Sequence, residues 1–186
     1  MTRIIAGAAR GRRIAVPEGK GTRPTSDRAR EALFSALEAA LRGGLGGRRF
    51  LDLYAGSGAV GLEALSRGAG VATLVESDAK AVRVLKANAK TLGMSPDIVA
   101  LAVERMASAP ALTPYDVVFA DPPYSMEAPQ LSGVLANLLL NGWVADDAVV
   151  VVERPSRERG WSWPEGFEER RTREYGAAVL RYARRS

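Results

Sequence analysis

Phe50-Leu51-Asp52-Leu53-Tyr54-Ala55-Gly56-Ser57-Gly58-Ala59-Val60-Gly61 decides the fold. An apolar run ends in Gly56-x-Gly58-x-x-Gly61 and passes into a helical segment reaching about Ser66, which reads as strand, tight turn and helix. Glycines there allow the turn and let a ligand approach the backbone and the helix N-terminus. Some twenty residues on, a second strand ends in Val75-Glu76, whose carboxylate can accept from ribose hydroxyls. Glycines and acid together fit either a dinucleotide or S-adenosylmethionine.

The chain continues in the same alternation. Strands are expected at Arg49–Tyr54, Val71–Glu76, Ile98–Val103, Asp116–Ala120 and Ala148–Glu153, with helices at Ala59–Ser66, Ala79–Leu92 and Pro129–Leu140 between them. Upstream, Thr25 or Ser26 caps a helix marked by Ala29, Ala32, Leu33, Ala36, Leu37, Ala40 and Leu41, and Gly43-Gly44 stops it. Residues 168–175 and 177–183 read as a closing antiparallel hairpin. Strands alternating with helices imply an α/β fold, a mostly parallel sheet covered on both faces, with ligands at the carboxyl ends of its strands.

The run Tyr115–Ala120 leads into Asp121-Pro122-Pro123-Tyr124. The prolines fix φ and carry no N–H, so the backbone there offers carbonyl acceptors with few competing donors. Acceptors beside an aromatic ring suit a planar heterocycle with an exocyclic amine. A strand-terminating turn is the plainer reading of that tetrapeptide alone.

Composition removes several chemistries. The 186 residues contain no cysteine and no histidine, which excludes thiolate or imidazole catalysis, a disulfide and the usual zinc ligand sets. No metal site is expected. No apolar run approaches the length of a membrane helix, and Met1-Thr2-Arg3-Ile4-Ile5 lacks a signal-peptide core, so a cytoplasmic protein without membrane contact is expected. Residues 1–30 carry eight basic groups against two acids, a net of +6, whereas the remaining 156 residues carry 18 against 19. Short strands at Arg3–Ala6 and Arg13–Val16 would form a hairpin with a basic tip. This arm of residues 1–24, with Arg3, Arg10, Arg12, Arg13 and Arg23, has the footprint of a phosphate backbone. Residues 25–186 form the main domain. Because its strands all begin after residue 48, the arm is expected to be dispensable for folding.

Asp52 separates the two cofactor readings. It lies four residues before Gly56, where it can face an ammonium group or orient the loop, and a pyrophosphate has no use for it. The ordered set of Asp52-x-x-x-Gly56-x-Gly58, Glu76 and Asp121–Tyr124 resembles the class I S-adenosylmethionine-dependent methyltransferases that act on amino nitrogens. The opening Arg3-Ile4-Ile5-Ala6-Gly7, Gly11-Arg12 and Thr22-Arg23-Pro24-Thr25-Ser26-Asp27-Arg28-Ala29-Arg30-Glu31-Ala32-Leu33-Phe34 is similar to that of the RsmD family. The resemblance implies a Rossmann-like class I methyltransferase sheet, mostly parallel with an antiparallel last strand, and a small N-terminal β-hairpin extension. It implies methylation of the N2 of a guanine in 16S rRNA, of the guanine 966 type, by a monomer acting on an assembled or assembling 30S subunit.

Site residues follow from the same resemblance. Asp121, Pro122, Pro123 and Tyr124 would be catalytic. Asp52, Tyr54, Ala55, Gly56, Ser57, Gly58, Glu76, Ser77 and Asp121 would bind the cofactor, with Thr25 and Arg28 closing over its carboxylate. Where the family tends to place a small polar or acidic residue against adenine, this chain has Glu104-Arg105-Met106, and Arg105 and Met106 are assigned there. Four rivals fit less well. A DNA adenine-N6 methyltransferase shares the Asp-Pro-Pro-Tyr chemistry but needs a target-recognition segment. Protein glutamine methyltransferases carry Asn where this chain has Asp121. A nicotinamide dehydrogenase leaves Asp121–Tyr124 unexplained, and a non-catalytic RNA-binding module leaves the cofactor turn unexplained.

Overall fold

A computed structural model describes residues 1–19 and 25–186. Arg23, and the end of the Gly/Pro-rich connection, lie outside the described residues. A hairpin of β1 (Thr2–Arg3) and β2 (Arg13–Ile14) precedes α1 (Asp27–Ala40). There follow β3 (Arg49–Leu53), α2 (Ala59–Ser66), β4 (Val71–Val75), α3 (Ala79–Leu92), β5 (Asp97–Val99), α4 (Val103–Ala107), β6 (Tyr115–Ala120) and α5 (Ala128–Leu140). The chain closes with β7 (Val144–Pro155), β8 (Phe167–Tyr175) and β9 (Ala178–Arg185). The seven-stranded sheet has the order β5-β4-β3-β6-β7-β9-β8, with β5, β4, β3, β6 and β7 mutually parallel and β9 reversed between β7 and β8. The last strand is therefore the antiparallel one.

Side chains of the central strands alternate between two cores, as the period of two requires. Phe50, Val117, Phe119, Val149 and Val151 face α1, α2 and α3. Leu51, Leu53, Val118, Ala120, Val150 and Val152 face α4 and α5. The sheet is buried on both faces, hence the uninterrupted valines of β7. Most elements fall where periodicity put them, and α2 and α3 match end for end. The strand expected at 98–103 is only β5, because Ala102 already caps α4 and Val103 is its first residue. β7 begins four residues early, with a register shift in its pairing to β6 accommodated around Asp147 at φ 60°.

The hairpin packs into the first core. Its regular pairing covers only two residues per strand, but Ile4, Ala9 and Ile14 are buried in the first core. Glu63 of α2 accepts the N–H groups of Ile5 (2.7 Å) and Ala6 (3.0 Å), and Ser66 Oγ accepts that of Ala9 (2.9 Å). Asn88 of α3 exchanges two hydrogen bonds with the Ala15 backbone. At Gly7, φ is +84° and a Cβ would sit 1.8 Å from the Ser66 carbonyl oxygen, so only glycine fits. Although the strands of the main sheet begin after residue 48, α1, α2 and α3 bury their faces partly against the arm.

Candidate active site

The carboxyl ends of β3, β4, β6 and β7 converge. After β3 the chain turns through Tyr54, Gly56 and Gly58, all at positive φ, and Gly58 caps α2. Ala55 N–H donates to the Val75 carbonyl (2.9 Å) and Gly58 N–H to the Ala55 carbonyl (2.8 Å), which closes the turn. A Cβ on Gly56 would meet nothing, whereas one on Gly61 would strike Leu74 at 2.6 Å. The first glycine therefore leaves open space and the third allows α2 to pack on β4. Ser57 is buried in the turn, its carbonyl accepting from Asn88 Nδ2 at 2.9 Å.

Asp52 is buried, and its Oδ2 accepts the Gly61 N–H at 2.9 Å. It orients the first turn of α2, the second of the two roles open to it. Burial pushes its carboxyl pKa up to about 8, against the lowering by the Gly61 hydrogen bond. Glu76 accepts from Gly56 N–H (2.8 Å) and Asp78 N–H (2.9 Å), one on each oxygen. Each oxygen keeps a lone pair for a ligand hydroxyl. Ser77 beside it is exposed.

At the end of β6, Asp121 is half-buried, Pro122 buried and Tyr124 exposed. Thr25 Oγ1 donates to Glu153 Oε2 at 3.0 Å and lies 3.4 Å from Asp121 Oδ2. Thr25 thus joins two carboxyls, while Arg28 is exposed. Burial first, and then the charges of Glu153 and Asp52, push Asp121 well above the usual carboxylate range, and burial raises Glu153. The loop is held from behind. Met126 N–H donates to the Pro123 carbonyl at 2.9 Å, and the buried Arg154 donates to the Met126 carbonyl at 2.6 Å while forking onto Glu158.

Of the three residues after β5, Glu104 reaches the site, with the Tyr54 hydroxyl 3.4 Å from its Oε1. Burial, then Glu104, raise the Tyr54 pKa. Met106 packs in the second core and Arg105 is exposed, so neither is drawn to Tyr54 as Glu104 is. Sequence reasoning missed Glu153, Arg154 and Glu63. The first two form a charged pair ending a run of four valines, at the edge where ligands bind. Glu63 is the lone acid in the otherwise apolar α2, and it ion-pairs with the buried Arg30 at 3.5 Å and with Arg67 at 3.0 Å. Among the arm's arginines, Arg3 pairs with Asp27 at 3.2 Å and Arg12 donates to the Thr91 and Leu92 carbonyls, while Arg10 and Arg13 are exposed. The tryptophans pack: Trp143 stacks on Tyr115, and Trp161 meets Trp163 edge-on.

Asp52, Glu76, Asp121 and Glu153 gather here with no ion pair to any of them among the described residues. That donor set fits a ligand bringing its own positive charge and hydroxyl donors. S-adenosylmethionine carries an ammonium, a sulfonium and ribose hydroxyls, and the open side of Gly56 leaves room beside Glu76. The sheet order, the glycine turn and the carboxylates together define a class I methyltransferase, the class that uses this donor.

Residues 2–184 match the family described as Conserved hypothetical protein 95, and the chain belongs to this family, the RsmD family. It is 42% identical over 151 residues to Ribosomal RNA small subunit methyltransferase D of Escherichia coli strain K12, covering 81% of this chain and 73% of that one. The structure of Escherichia coli yhhF superposes with a TM-score of 0.86 at 36% identity, over 100% of this chain and 98% of that chain. Magnesium protoporphyrin IX methyltransferase from Synechocystis, solved with bound S-adenosylmethionine, shares the fold at a TM-score of 0.67 and 15% identity, over 86% and 79% of the two chains.

Proposed function

We propose that the protein transfers a methyl group from S-adenosylmethionine to the exocyclic N2 of a guanine in 16S rRNA, of the guanine 966 type, in the bacterial cytoplasm. The observation that carries the reading is Asp121-Pro122-Pro123-Tyr124 at the carboxyl end of β6, next to the glycine turn, in a chain 42% identical to a ribosomal RNA small subunit methyltransferase. When bound, the cofactor supplies an electrophilic sulfonium methyl at the site of Gly56, Gly58 and Glu76.

The chain's own residues make the amine reactive. A guanine N2 lone pair is delocalised into the ring, so the nitrogen is a poor nucleophile. Asp121 and the Pro122 carbonyl each accept one N–H, which favours a pyramidal nitrogen with its lone pair directed outward. The exposed Tyr124 ring stacks on the displaced base. Positioning and electrostatics supply most of the acceleration. As the new C–N bond forms, the nitrogen becomes positive and gives one proton to Asp121. Glu153, bridged to Asp121 through the Thr25 hydroxyl, keeps that carboxylate basic enough to take it. Arg154 fixes the Pro123–Met126 turn and thereby the direction of Tyr124.

A monomer of this size has little surface with which to read sequence, which favours a preassembled ribonucleoprotein as substrate. Labelled S-adenosylmethionine offered with undermethylated small subunits, naked 16S rRNA and DNA tests this. Transfer to subunits, with N2-methylguanosine recovered on digestion, supports it. Transfer only to DNA as N6-methyladenine replaces it with the adenine reading, and no transfer to any acceptor leaves a non-catalytic RNA-binding module.

A further inference from the structure

Cations gather in two further regions, and the structure distinguishes them. In the C-terminal hairpin four of the six arginines face a carboxylate: Arg170, Arg181, Arg184 and Arg185 pair with Glu168, Glu169, Asp147 and Asp146. Their charge is neutralised locally. Helix α3 is the opposite case. It carries Lys80, Arg83, Lys86 and Lys90 and no acid, all four are exposed, and none forms an ion pair among the described residues.

At about 100° per residue these four cations occupy roughly a third of the helix circumference, opposite the face that buries Val82, Leu85 and Ala89. Lys80 stands in the first turn, where the helix dipole opposes a cation, and Lys86 faces Lys90 at the i,i+4 spacing that is repulsive for like charges. Helix stability alone would favour an acid at position 80 and an opposite charge in one of positions 86 and 90. The helix runs about 20 Å from the carboxyl edge of the sheet, beside Glu76 and Asp78, to the N-terminal hairpin. There Arg12 binds the Thr91 and Leu92 carbonyls, and Asn88 holds the Ala15 backbone. Arg10 and Arg13 of that hairpin are exposed as well.

We propose that the solvent face of α3, joined to the hairpin through Arg12, is the track on which the RNA substrate lays its phosphate backbone toward the methyl-transfer site. This rests on the reading of the substrate as RNA. An unbroken line of unpaired cations is complementary to a polyanion. Regular spacing along one helix suits a backbone contacted without regard to base. The hairpin alone is too small a patch; with α3 the surface gains four phosphate contacts and a direction.

The test is Lys80→Gln with Arg83→Gln, Lys86→Gln and Lys90→Gln in one chain, glutamine keeping helix propensity. Binding of naked 16S rRNA is titrated across salt, without turnover. If each cation meets one phosphate, the log–log salt slope falls by about 3 relative to wild type. The KM for rRNA substrate rises at least tenfold, while S-adenosylmethionine affinity stays within twofold and helical ellipticity is unchanged. Arg170→Gln, already paired, leaves the slope alone. Parallel slopes and equal affinity for wild type and the quadruple variant overturn the proposal. So does a stripe-dependent affinity for phosphatidylserine vesicles with RNA affinity unchanged. A wild type that binds rRNA through the stripe yet methylates no RNA would refute the substrate reading and leave the stripe standing.

Discussion

Asp52→Asn tests a buried carboxyl whose titration is dominated by burial, with the charge of Glu76 a smaller contribution. In the native state its pKa is about 8, against 3.8 for the free group. A raised folded-state value means the native protein holds a proton that the unfolded chain releases. The stability tied to that proton is fully present below pH 3.8 and is lost as pH rises through 8. Four pH units at about 1.4 kcal/mol each set a ceiling near 5–6 kcal/mol. Asparagine cannot ionise, and its amide oxygen can still accept the Gly61 N–H. The variant should therefore lose no stability through this position on going alkaline, and its stability relative to wild type should climb by about 3–4 kcal/mol between pH 5 and pH 8. Urea unfolding of both chains across that range measures the difference, with distant titrating groups cancelling and Asp121, which the Asp52 charge also raises, adding in the same direction. A difference curve that is flat with pH would show that Asp52 does not carry a proton in the native state, and the reasoning from burial would be refuted.

Other consequences are equally open to measurement. Glu76→Ala should weaken S-adenosylmethionine binding by about 1–3 kcal/mol, the scale of charge-assisted hydrogen bonds to hydroxyls, together with loss of the anchor on Gly56; an unchanged dissociation constant removes Glu76 from the cofactor site. Glu153→Gln takes away a charge that raises Asp121, so the acid limb of the rate–pH profile should move to lower pH, and an unmoved limb breaks the link between the two carboxyls. Glu63→Ala leaves the buried Arg30 with only Asp27 as an ion-pair partner among the described residues, strands two hairpin N–H groups and should cost about 3–5 kcal/mol in denaturant unfolding; a loss under 1 kcal/mol would mean the hairpin is loosely attached. Arg10→Gln with Arg13→Gln should raise the KM for RNA without altering stability, whereas Arg12→Gln should also lower the melting temperature, because Arg12 caps α3.

How far the residues alone carried the reading depends on whether the signal was local. The strands and helices from Arg49 onward announced themselves by pattern, since burial of both sheet faces left continuous apolar runs, α3 kept one apolar stripe and α2 was apolar nearly all round. The glycine turn was legible for a steric reason, as Gly58 and Gly61 stand where a Cβ would strike Leu85 or Leu74. What stayed hidden was long-range. Nothing near Glu63 in sequence says that it meets residues 5, 6 and 30, and nothing near Thr25 says that it will bridge Asp121 and Glu153. The hairpin looked like a detachable arm because its charges were visible and its three buried contacts, Ile4, Ala9 and Ile14, were spaced too irregularly to signal a core. The choice among Glu104, Arg105 and Met106 turned on where α4 begins, a boundary that periodicity does not set.

The proposed site has two halves, the cofactor at the glycine turn and the target amine at Asp121. Calorimetric titration of S-adenosylmethionine into Asp121→Ala, on a preparation whose methyl transfer is assayed in parallel, tests that division most directly. The predicted result is a dissociation constant within a few fold of wild type while transfer is abolished. Loss of cofactor binding along with activity would move Asp121 into the cofactor pocket and contradict the account.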